Sequence, residues 1–324
     1  MAEVEATMGQ MRWKSDQQDG RTIGTLMVRH PNFSGLQRDQ VTLLNIPAHF
    51  IDRLEVRQGD EVLFTFQIIG TPSNAAVQKY LNARKVPQLL ASTGASRFSD
   101  PQNAPWTIAF NPNYQSEGRI YAKYILANHP NAKIGIFYQN DDLGRDYIAG
   151  LKSGLGDKAA SMIVAEVSYE LTDPTVDSQI VKLKAASVDL LYDASTPKFA
   201  AQAIRKVADL DWHPVHILDI NASPVSATLK PAGLDISKGI ISTNYGKDPA
   251  DPQWKDDPGV KAYFAFMDKY YPEGDKLNTV NTYGYSTAEL LIQVLKQCGD
   301  DLTRENLMKR SEERRVGKEC RSRW

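Results

Sequence analysis

Residues 133–155, KIGIFYQNDDLGRDYIAGLKSGL, contain the pattern that decides the fold. The apolar run at 133–138 has the length and composition of a buried strand. Asp141 and Asp142 follow it and precede a helical segment at 143–155, whose apolar residues lie on one face. Carboxylates at this position stabilise the first turn of a helix, because they offset its unpaired amides and its dipole. A buried strand followed by such a helix predicts one βα unit of a parallel sheet.

The same alternation of short apolar runs and helical segments extends from residue 61 to residue 309. Strands are predicted at 62–69, 86–91, 107–110, 133–138, 163–169, 188–192, 215–220 and 239–243. Helices are predicted at 75–84, 115–128, 143–155, 176–186, 198–210, 259–271, 287–297 and 304–309. Near-continuous apolar strands between helices are typical of parallel sheets that helices cover on both faces. The fold class is therefore predicted to be doubly wound α/β, with a ligand crevice at the carboxyl ends of the strands.

Two helix starts in this region share a Thr-Pro pair. Thr71 precedes Pro72, and Thr196 precedes Pro197. A threonine hydroxyl can accept a hydrogen bond from the first turn of a helix, and proline is favoured at the first helical position. The pairs therefore predict two capping hydroxyls at the strand ends.

The two ends of the chain do not follow this pattern. Residues 1–57 contain β-like runs at 22–28 and 41–46 without a clear helical period, and their role is left open. Residues 310–324 contain six basic and three acidic residues. A solvated tail and a nucleic-acid arm are possible interpretations of such a run. We favour a third, a non-native adapter-like tail that does not belong to the fold.

The composition excludes several classes of protein. A chain of 324 residues and 36.1 kDa is long enough for about two domains. Its 38 Lys and Arg against 39 Asp and Glu give no overall charge that would attract nucleic acid or an anionic membrane. No apolar run approaches the ~18 residues that span a bilayer, and residues 1–20 show no secretory signal. Cys298 and Cys320 are too few for a disulfide framework.

The absence of catalytic motifs in the sequence predicts that the chain is not an enzyme. No glycine-rich phosphate loop and no nucleophile elbow is present. The histidines lack zinc-ligand spacing, Cys298 is interpreted as a small buried residue, and Asp141 as a helix cap, so no metal or cofactor is predicted. The loops at 70–74 and 91–96 are instead rich in hydroxyls and amides, which suit a carboxylate ligand at a helix N-terminus.

Eight motifs, in chain order, resemble the type I periplasmic binding proteins, and most closely the branched-chain amino acid (leucine/isoleucine/valine) receptors of ABC transporters. They are GTPSN at 70–74, KVPQL at 85–89, PWT at 105–107, YQSEG at 114–118, YQNDDLG at 138–144, DPTVD at 173–177, TPKFA at 196–200 and DPQW at 251–254. The resemblance implies two Rossmann-like lobes joined by a hinge and closing on a ligand.

The resemblance also implies the domain organisation. Lobe 1 would comprise 58–128 plus 248–309, and lobe 2 would comprise 129–247. The N-terminal 1–57 and the tail 310–324 have no counterpart in the family. Because the family's first strand and helix and its closing segment are not recognised, the fold is expected to be incomplete at both ends.

Nine positions match the ligand-binding residues of the family. Those of lobe 1, which would hold the carboxylate and ammonium of the ligand, are Thr71, Ser73, Ser92, Thr93 and Gly94. In lobe 2, Leu143 and Thr196 stand where the leucine binders carry aromatic residues, and Asp219 and Asn221 stand near their ammonium-binding acid. Asp219 and Asp193 are the two acids placed at strand ends to pair with an ammonium group.

The implied function is a solute-binding receptor that captures a small polar ligand and passes it to the permease subunits of an ABC transporter. A branched-chain amino acid is favoured, followed by a related amino acid or small carboxylate; an aromatic acid or an amide stays open. The implied location is the periplasm, although the chain shows no signal peptide. Two alternatives remain: a cytosolic ligand-sensing module of the same fold, and an α/β enzyme with dispersed catalytic residues.

Overall fold

The structure, a computed structural model, describes residues 11–18, 21–28, 54–58 and 61–316, with side chains for 62–312. The chain divides into two compact units, Met1–Leu54 and Glu55–Trp324. The first unit contains an antiparallel hairpin of β1 (Met11–Gln18) and β2 (Arg21–Val28). The strand predicted at 22–28 is thereby confirmed, and the one predicted at 41–46 lies outside the described residues.

The second unit contains the remaining strands and the helices. Its strands are β3 (Leu54–Gln58), β4 (Glu61–Phe66), β5 (Gln88–Ala91), β6 (Thr107–Ala109), β7 (Ile134–Gln139), β8 (Ile163–Tyr169), β9 (Leu190–Ala194) and β10 (Val215–Leu218). Its α-helices are α1 (Thr71–Ala83), α2 (Tyr114–Asn128), α3 (Asp142–Leu155), α4 (Ala159–Met162), α5 (Asp177–Ala185), α6 (Pro197–Asp209), α7 (Lys230–Ala232), α8 (Pro258–Tyr270), α9 (Thr279–Cys298) and α10 (Arg304–Val316). Among the described helices, none has both the length and the apolar composition needed to cross a membrane.

The described strands of this second unit form two sheets. In the first, the order is β3-β4-β5-β6, and β5 runs parallel to both β4 and β6. In the second, the order is β10-β9-β7-β8, and all neighbouring strands are parallel. These parallel pairings confirm the α/β fold class that the alternating pattern predicts.

The second sheet is covered on both faces because its strands are apolar on both sides. Ile134 and Ile136 pack on one face with residues of α2 and α3. Phe137, on the opposite side of the same strand, packs with residues of α5 and α6. Alternate residues of a strand point to opposite faces, so a continuous apolar run buries both.

Helix α2 packs against α3. Gly118 of α2 is so close to α3 that a Cβ atom there would lie 2.7 Å from the carbonyl oxygen of Tyr147. Likewise, a Cβ on Gly150 of α3 would lie 2.3 Å from the carbonyl oxygen of Gln115. The lobe boundary at residue 128 stays a prediction, and this packing favours a boundary before Tyr114.

The predicted capping hydroxyls are wrong at both Thr-Pro pairs. The N-cap of α1 is Gly70, and no side chain caps that helix. Thr196 is the N-cap of α6 but makes no capping hydrogen bond, because its hydroxyl faces Gln139 at 3.2 Å. The Thr71 hydroxyl lies 2.8 Å from that of Thr93, in the loop after β5, and the Thr196 hydroxyl donates to the last residue of β7.

The cap predicted at the start of α3 is confirmed. Asp141 Oδ1 accepts a hydrogen bond from the Leu143 amide at 2.8 Å. Replacing Asp141 with alanine is expected to lower the free energy of unfolding by about 1 kcal/mol, because the first turn loses this acceptor. Urea denaturation followed by circular dichroism measures the change. The exposed Asp157, replaced in the same way, is the control, and equal loss in both variants would contradict the assignment.

Candidate functional site

The loops that follow β4 and β5 meet at the carboxyl end of the first sheet. The hydroxyls of Thr71 and Thr93 are both buried and lie 2.8 Å apart. Gly94 follows, and a Cβ there would lie 2.1 Å from the Pro112 carbonyl oxygen and 2.7 Å from the Tyr114 ring. Glycine at this position therefore allows Tyr114 to pack against the loop. Burial raises the pKa of the Tyr114 hydroxyl to about 12.

A chain of hydrogen bonds connects this loop to the second sheet. The Ser92 and Tyr283 hydroxyls lie 2.8 Å apart, and Tyr283 donates to Asn111 Oδ1 at 2.7 Å. Asn111 Nδ2 in turn donates to Asn221 Oδ1 at 3.4 Å. Phe110 packs its ring against Tyr283, with 5.2 Å between the ring centroids. We call the hydrogen-bonded series of Ser92, Tyr283, Asn111, Asn221, Tyr147 and Glu117 the cleft chain.

The cleft chain ends on a buried carboxylate. Asn221 Nδ2 donates to the Tyr147 hydroxyl at 3.0 Å, and that hydroxyl donates to Glu117 Oε2 at 2.7 Å. The other oxygen, Oε1, accepts from the Tyr121 hydroxyl at 2.8 Å and from the Thr243 hydroxyl at 2.9 Å. The Ile220 amide also donates to Oε1, at 2.9 Å. Glu117 therefore accepts four hydrogen bonds and joins two helices to two loops.

A second carboxylate lies beside Asn221. Asp219 is fully buried, and its Oδ1 accepts from the backbone amide and from the side-chain amide of Asn221, both at 2.9 Å. Its Oδ2 accepts from the Ser195 amide at 2.9 Å. Burial raises the pKa of Asp219 well above its ordinary range, and the charges of Glu117 and Asp193 raise it further. Ionised Asp219 would thus be stabilised by a nearby cation.

The other predicted residues have different surroundings. Leu143 is buried in the core on one face of the second sheet, and Ser73 is exposed. Thr196 lies with its hydroxyl 3.1 Å from that of Tyr169 and is bonded to Gln139. The structure therefore brings together Thr71 with Thr93, and Ser92 with Asn221 through the cleft chain. The binding roles of the nine residues stay predictions.

The sequence pattern does not point to most of the cleft chain. Tyr114 and Glu117 fall within the YQSEG motif, so a signal for that segment exists. Tyr283 contacts Ser92 across 191 positions of sequence, and no local spacing marks such a pair. Tyr245, which lies close enough to Tyr283 for the two hydroxyls to interact electrostatically, also carries no motif.

A cavity of about 750 Å³ lies apart from these residues. It is lined by parts of α1, of the segment 96–105 and of α3, and no predicted ligand residue lines it. Along its wall, Arg97 pairs with Asp142 at 3.0 Å, and Asp146 accepts from the Ser96 hydroxyl at 2.9 Å. Its wall contains three basic and three acidic residues, which are Lys79, Arg97, Arg145, Asp100, Asp142 and Asp146. This balance favours no ligand charge, so we base the candidate site on the cleft chain.

Metal-ligating and nucleophilic groups are sparse in the part of the chain that the structure describes. Within it, no three His, Cys, Asp or Glu side chains are grouped to hold a metal ion. Cys298 is buried at the end of α9, and burial raises the pKa of its thiol. A raised pKa lowers the thiolate fraction, so this cysteine is a poor nucleophile.

Solved structures share this fold. A possible leucine/isoleucine/valine-binding protein from Rhodopirellula baltica is 22% identical with a TM-score of 0.67, covering 78% of this chain and 67% of its own. A substrate-binding periplasmic protein from Ralstonia solanacearum is also 22% identical with a TM-score of 0.67, covering 78% and 69%. A branched-chain amino acid ABC transporter protein from Thermus thermophilus, with bound valine, is 16% identical with a TM-score of 0.62, covering 74% and 62%. The chain thus spans about two thirds of the length of these proteins.

Family models match both parts of the chain. No curated protein matches it at a significant level. A model of the sulphur oxidation protein SoxZ matches residues 11–74, which include most of the segment whose role the sequence pattern leaves open. A model described as periplasmic binding protein matches residues 55–317. Since this second match covers most of the chain and agrees with the two parallel sheets, the chain belongs to the periplasmic binding protein family.

Proposed function

We propose that this protein is the solute-binding receptor of an ABC transporter and captures a small polar ligand at the cleft chain. The observation that carries the proposal is the cleft chain itself, in which polar side chains from loops of both sheets meet at Asn111 and Asn221. A ligand that enters between these two residues would replace one 3.4 Å contact with contacts of its own. The proposed partners are the permease subunits in the membrane, and the proposed location is the periplasm.

The start of α1 supports a carboxylate on the ligand. Gly70 provides no capping side chain, and the first turn contains no acidic residue. The unpaired amides and the positive end of the helix dipole then favour an anion. Thr71 and Ser73 lie in the first turn of α1, and Ser92, Thr93 and Gly94 lie in the loop after β5, at this end of the first sheet. We propose that these residues hold the carboxylate.

The second sheet supplies the other half of the proposed site. Asp219 and Asn221 would receive an ammonium or another donor of the ligand, and Leu143 and Thr196 would lie nearer to its side chain. The protein from Thermus thermophilus is named for branched-chain amino acids, and a similar structure from Thermomonospora curvata is named for a fatty acid. A branched-chain amino acid is therefore proposed first, and a related amino acid or a small carboxylate second.

A thermal-shift screen tests the proposed function. Amino acids, short carboxylates, aromatic acids and amides are added to the full chain, whose folding is checked by circular dichroism. A ligand present at ~100 times its Kd is expected to stabilise the protein by roughly 2.7 kcal/mol, because it binds only the folded state. If no compound of the four classes raises the melting temperature of the folded chain, the proposal is wrong.

A further inference from the structure

We infer that Glu117 and Asp219 fix the direction of the hydrogen bonds in the cleft chain, so that Asn221 presents only its carbonyl oxygen to the ligand. The ligand must then supply an N–H or O–H donor to Asn221. This inference rests on the proposed function, since it concerns the same cleft.

Glu117 fixes the direction in which the Tyr147 hydroxyl donates its proton. The carboxylate of Glu117 can only accept hydrogen bonds, and its Oε2 lies 2.7 Å from the Tyr147 hydroxyl. Tyr147 has a single hydroxyl proton, which this contact uses. Its oxygen can therefore only accept from Asn221, whose Nδ2 lies 3.0 Å away.

Tyr147 and Asp219 fix the orientation of the Asn221 side-chain amide. Nδ2 also donates to Asp219 Oδ1 at 2.9 Å, so both of its protons are used on the side away from Asn111. A flipped amide would place its oxygen against Asp219 Oδ1 and against the Tyr147 oxygen. The Tyr147 oxygen has no further proton to donate, and Asp219 Oδ1 accepts from the Asn221 backbone amide, so the flipped oxygen would face two acceptors, which is costly in a buried site. Tyr147 and Asp219 therefore each favour the same orientation of the Asn221 amide.

The opposite wall is oriented in the same way. Tyr283 donates to Asn111 Oδ1 at 2.7 Å, which turns the Asn111 Nδ2 group toward Asn221. One wall of the cleft therefore offers a donor and the other offers an acceptor. A ligand placed between them must accept from Asn111 and donate to Asn221. Amino acids, hydroxy acids and primary amides can do both, whereas a simple carboxylate can only accept.

Matched ligand pairs test this inference. Each pair shares a carbon skeleton and differs in one donor: leucine and 4-methylpentanoate, phenylalanine and 3-phenylpropanoate, 4-hydroxybenzoate and benzoate. In the pair that binds, the member with the donor is expected to bind at least about tenfold more tightly, because its absence leaves the Asn221 oxygen unpaired. Isothermal titration calorimetry on the full chain gives the ratio of the two affinities.

Three variants show whether the ratio depends on these residues. Asn221→Ala is expected to lower the ratio about tenfold, since the acceptor is gone. Glu117→Gln is expected to lower the ratio several-fold, because its amide would direct N–H protons at Tyr147 and disturb the order of donors. Asn131→Ala, at an exposed asparagine, is expected to leave the ratio unchanged.

The affinity ratio separates positioning from a general loss of structure. A destabilised site would weaken both members of a pair alike. A ratio near one in the wild type, or a ratio that neither Asn221→Ala nor Glu117→Gln changes, would overturn the inference while the proposed function stands. If none of the six ligands binds the folded wild type, the inference is overturned, and the thermal-shift screen of the four ligand classes decides the proposed function.

Discussion

Replacing Glu117 with alanine is expected to lower the free energy of unfolding by roughly 3–5 kcal/mol. The substitution leaves three donors without this acceptor, the Tyr147 and Thr243 hydroxyls and the Ile220 amide, while the Tyr121 hydroxyl keeps the Leu218 carbonyl oxygen at 2.9 Å. Glu117 is only 5% exposed, so water replaces the lost contacts poorly. Each unsatisfied buried donor costs on the order of 1–3 kcal/mol. The expected total is below the sum because the loops can shift.

Urea denaturation of the full chain, followed by tryptophan fluorescence, measures this loss. The control is Glu273→Ala, which removes an exposed carboxylate and is expected to change the unfolding free energy by less than about 0.5 kcal/mol. Glu117→Gln keeps an oxygen in place and is expected to lose less than alanine does. Should the alanine variant unfold at the same urea concentration as the control, Glu117 does not hold the two helices and loops together.

The sheets could be predicted from sequence because they are parallel and buried on both faces. Such strands appear as continuous apolar runs, and the one predicted at 163–169 is β8 itself, Ile163–Tyr169. The helices between them have an apolar face and defined starts, as in α3. Local pattern is sufficient for elements of this kind.

Elements without that signal were predicted less well. Residues 239–243 form no strand, and only Ile241 makes a bridge, to Ile217. Helix α9 begins at Thr279 rather than at the predicted residue 287. The sequence pattern misses its first half because Asn, Thr, Tyr and Gly, which occur there, are weak helix formers. Helix α10 continues to Val316, into the segment predicted to be a tail. Tertiary packing overrides propensity in such segments.

The site could be predicted only in part, for a physical reason. Ser92 and Thr93 directly follow β5, Thr71 starts the helix after β4, and the ends of neighbouring parallel strands meet at one edge of a sheet. Glu117, in contrast, lies inside a helix, where an acidic residue is usually a solvated one. Its role depends on hydroxyls from α2, α3 and a distant loop, which the fold alone brings together.

Replacing Asp219 with asparagine is expected to weaken binding of an amine-bearing ligand by roughly 2–5 kcal/mol, because the ligand's ammonium loses the charge of the carboxylate that is proposed to receive it. A ligand of the same skeleton without the amine is expected to bind as before. Calorimetric titration of both variants with leucine and 4-methylpentanoate measures the two effects. Asp157→Asn, an exposed site, is the matched control. Equal titration curves for wild type and Asp219→Asn with leucine, or the failure of leucine to bind, would contradict the role of Asp219.

Because the pKa of Asp219 is raised, ligand binding is expected to release a proton from its carboxyl group, and Asp219→Asn is expected to abolish that release. Its folded-state pKa lies above the ordinary value of 3.8, since burial, Glu117 and Asp193 all disfavour the charged form. Between the two pKa values the folded protein retains a proton that the unfolded chain releases, so the unfolding free energy falls as pH rises through this window. An ammonium bound nearby favours the charged form, which lowers the pKa, and binding within the window therefore releases a proton. Titrations in two buffers with different ionisation enthalpies should show this release for wild type and for Asp157→Asn. In Asp219→Asn the release should be absent, since residue 219 then has no carboxyl group that could lose the proton.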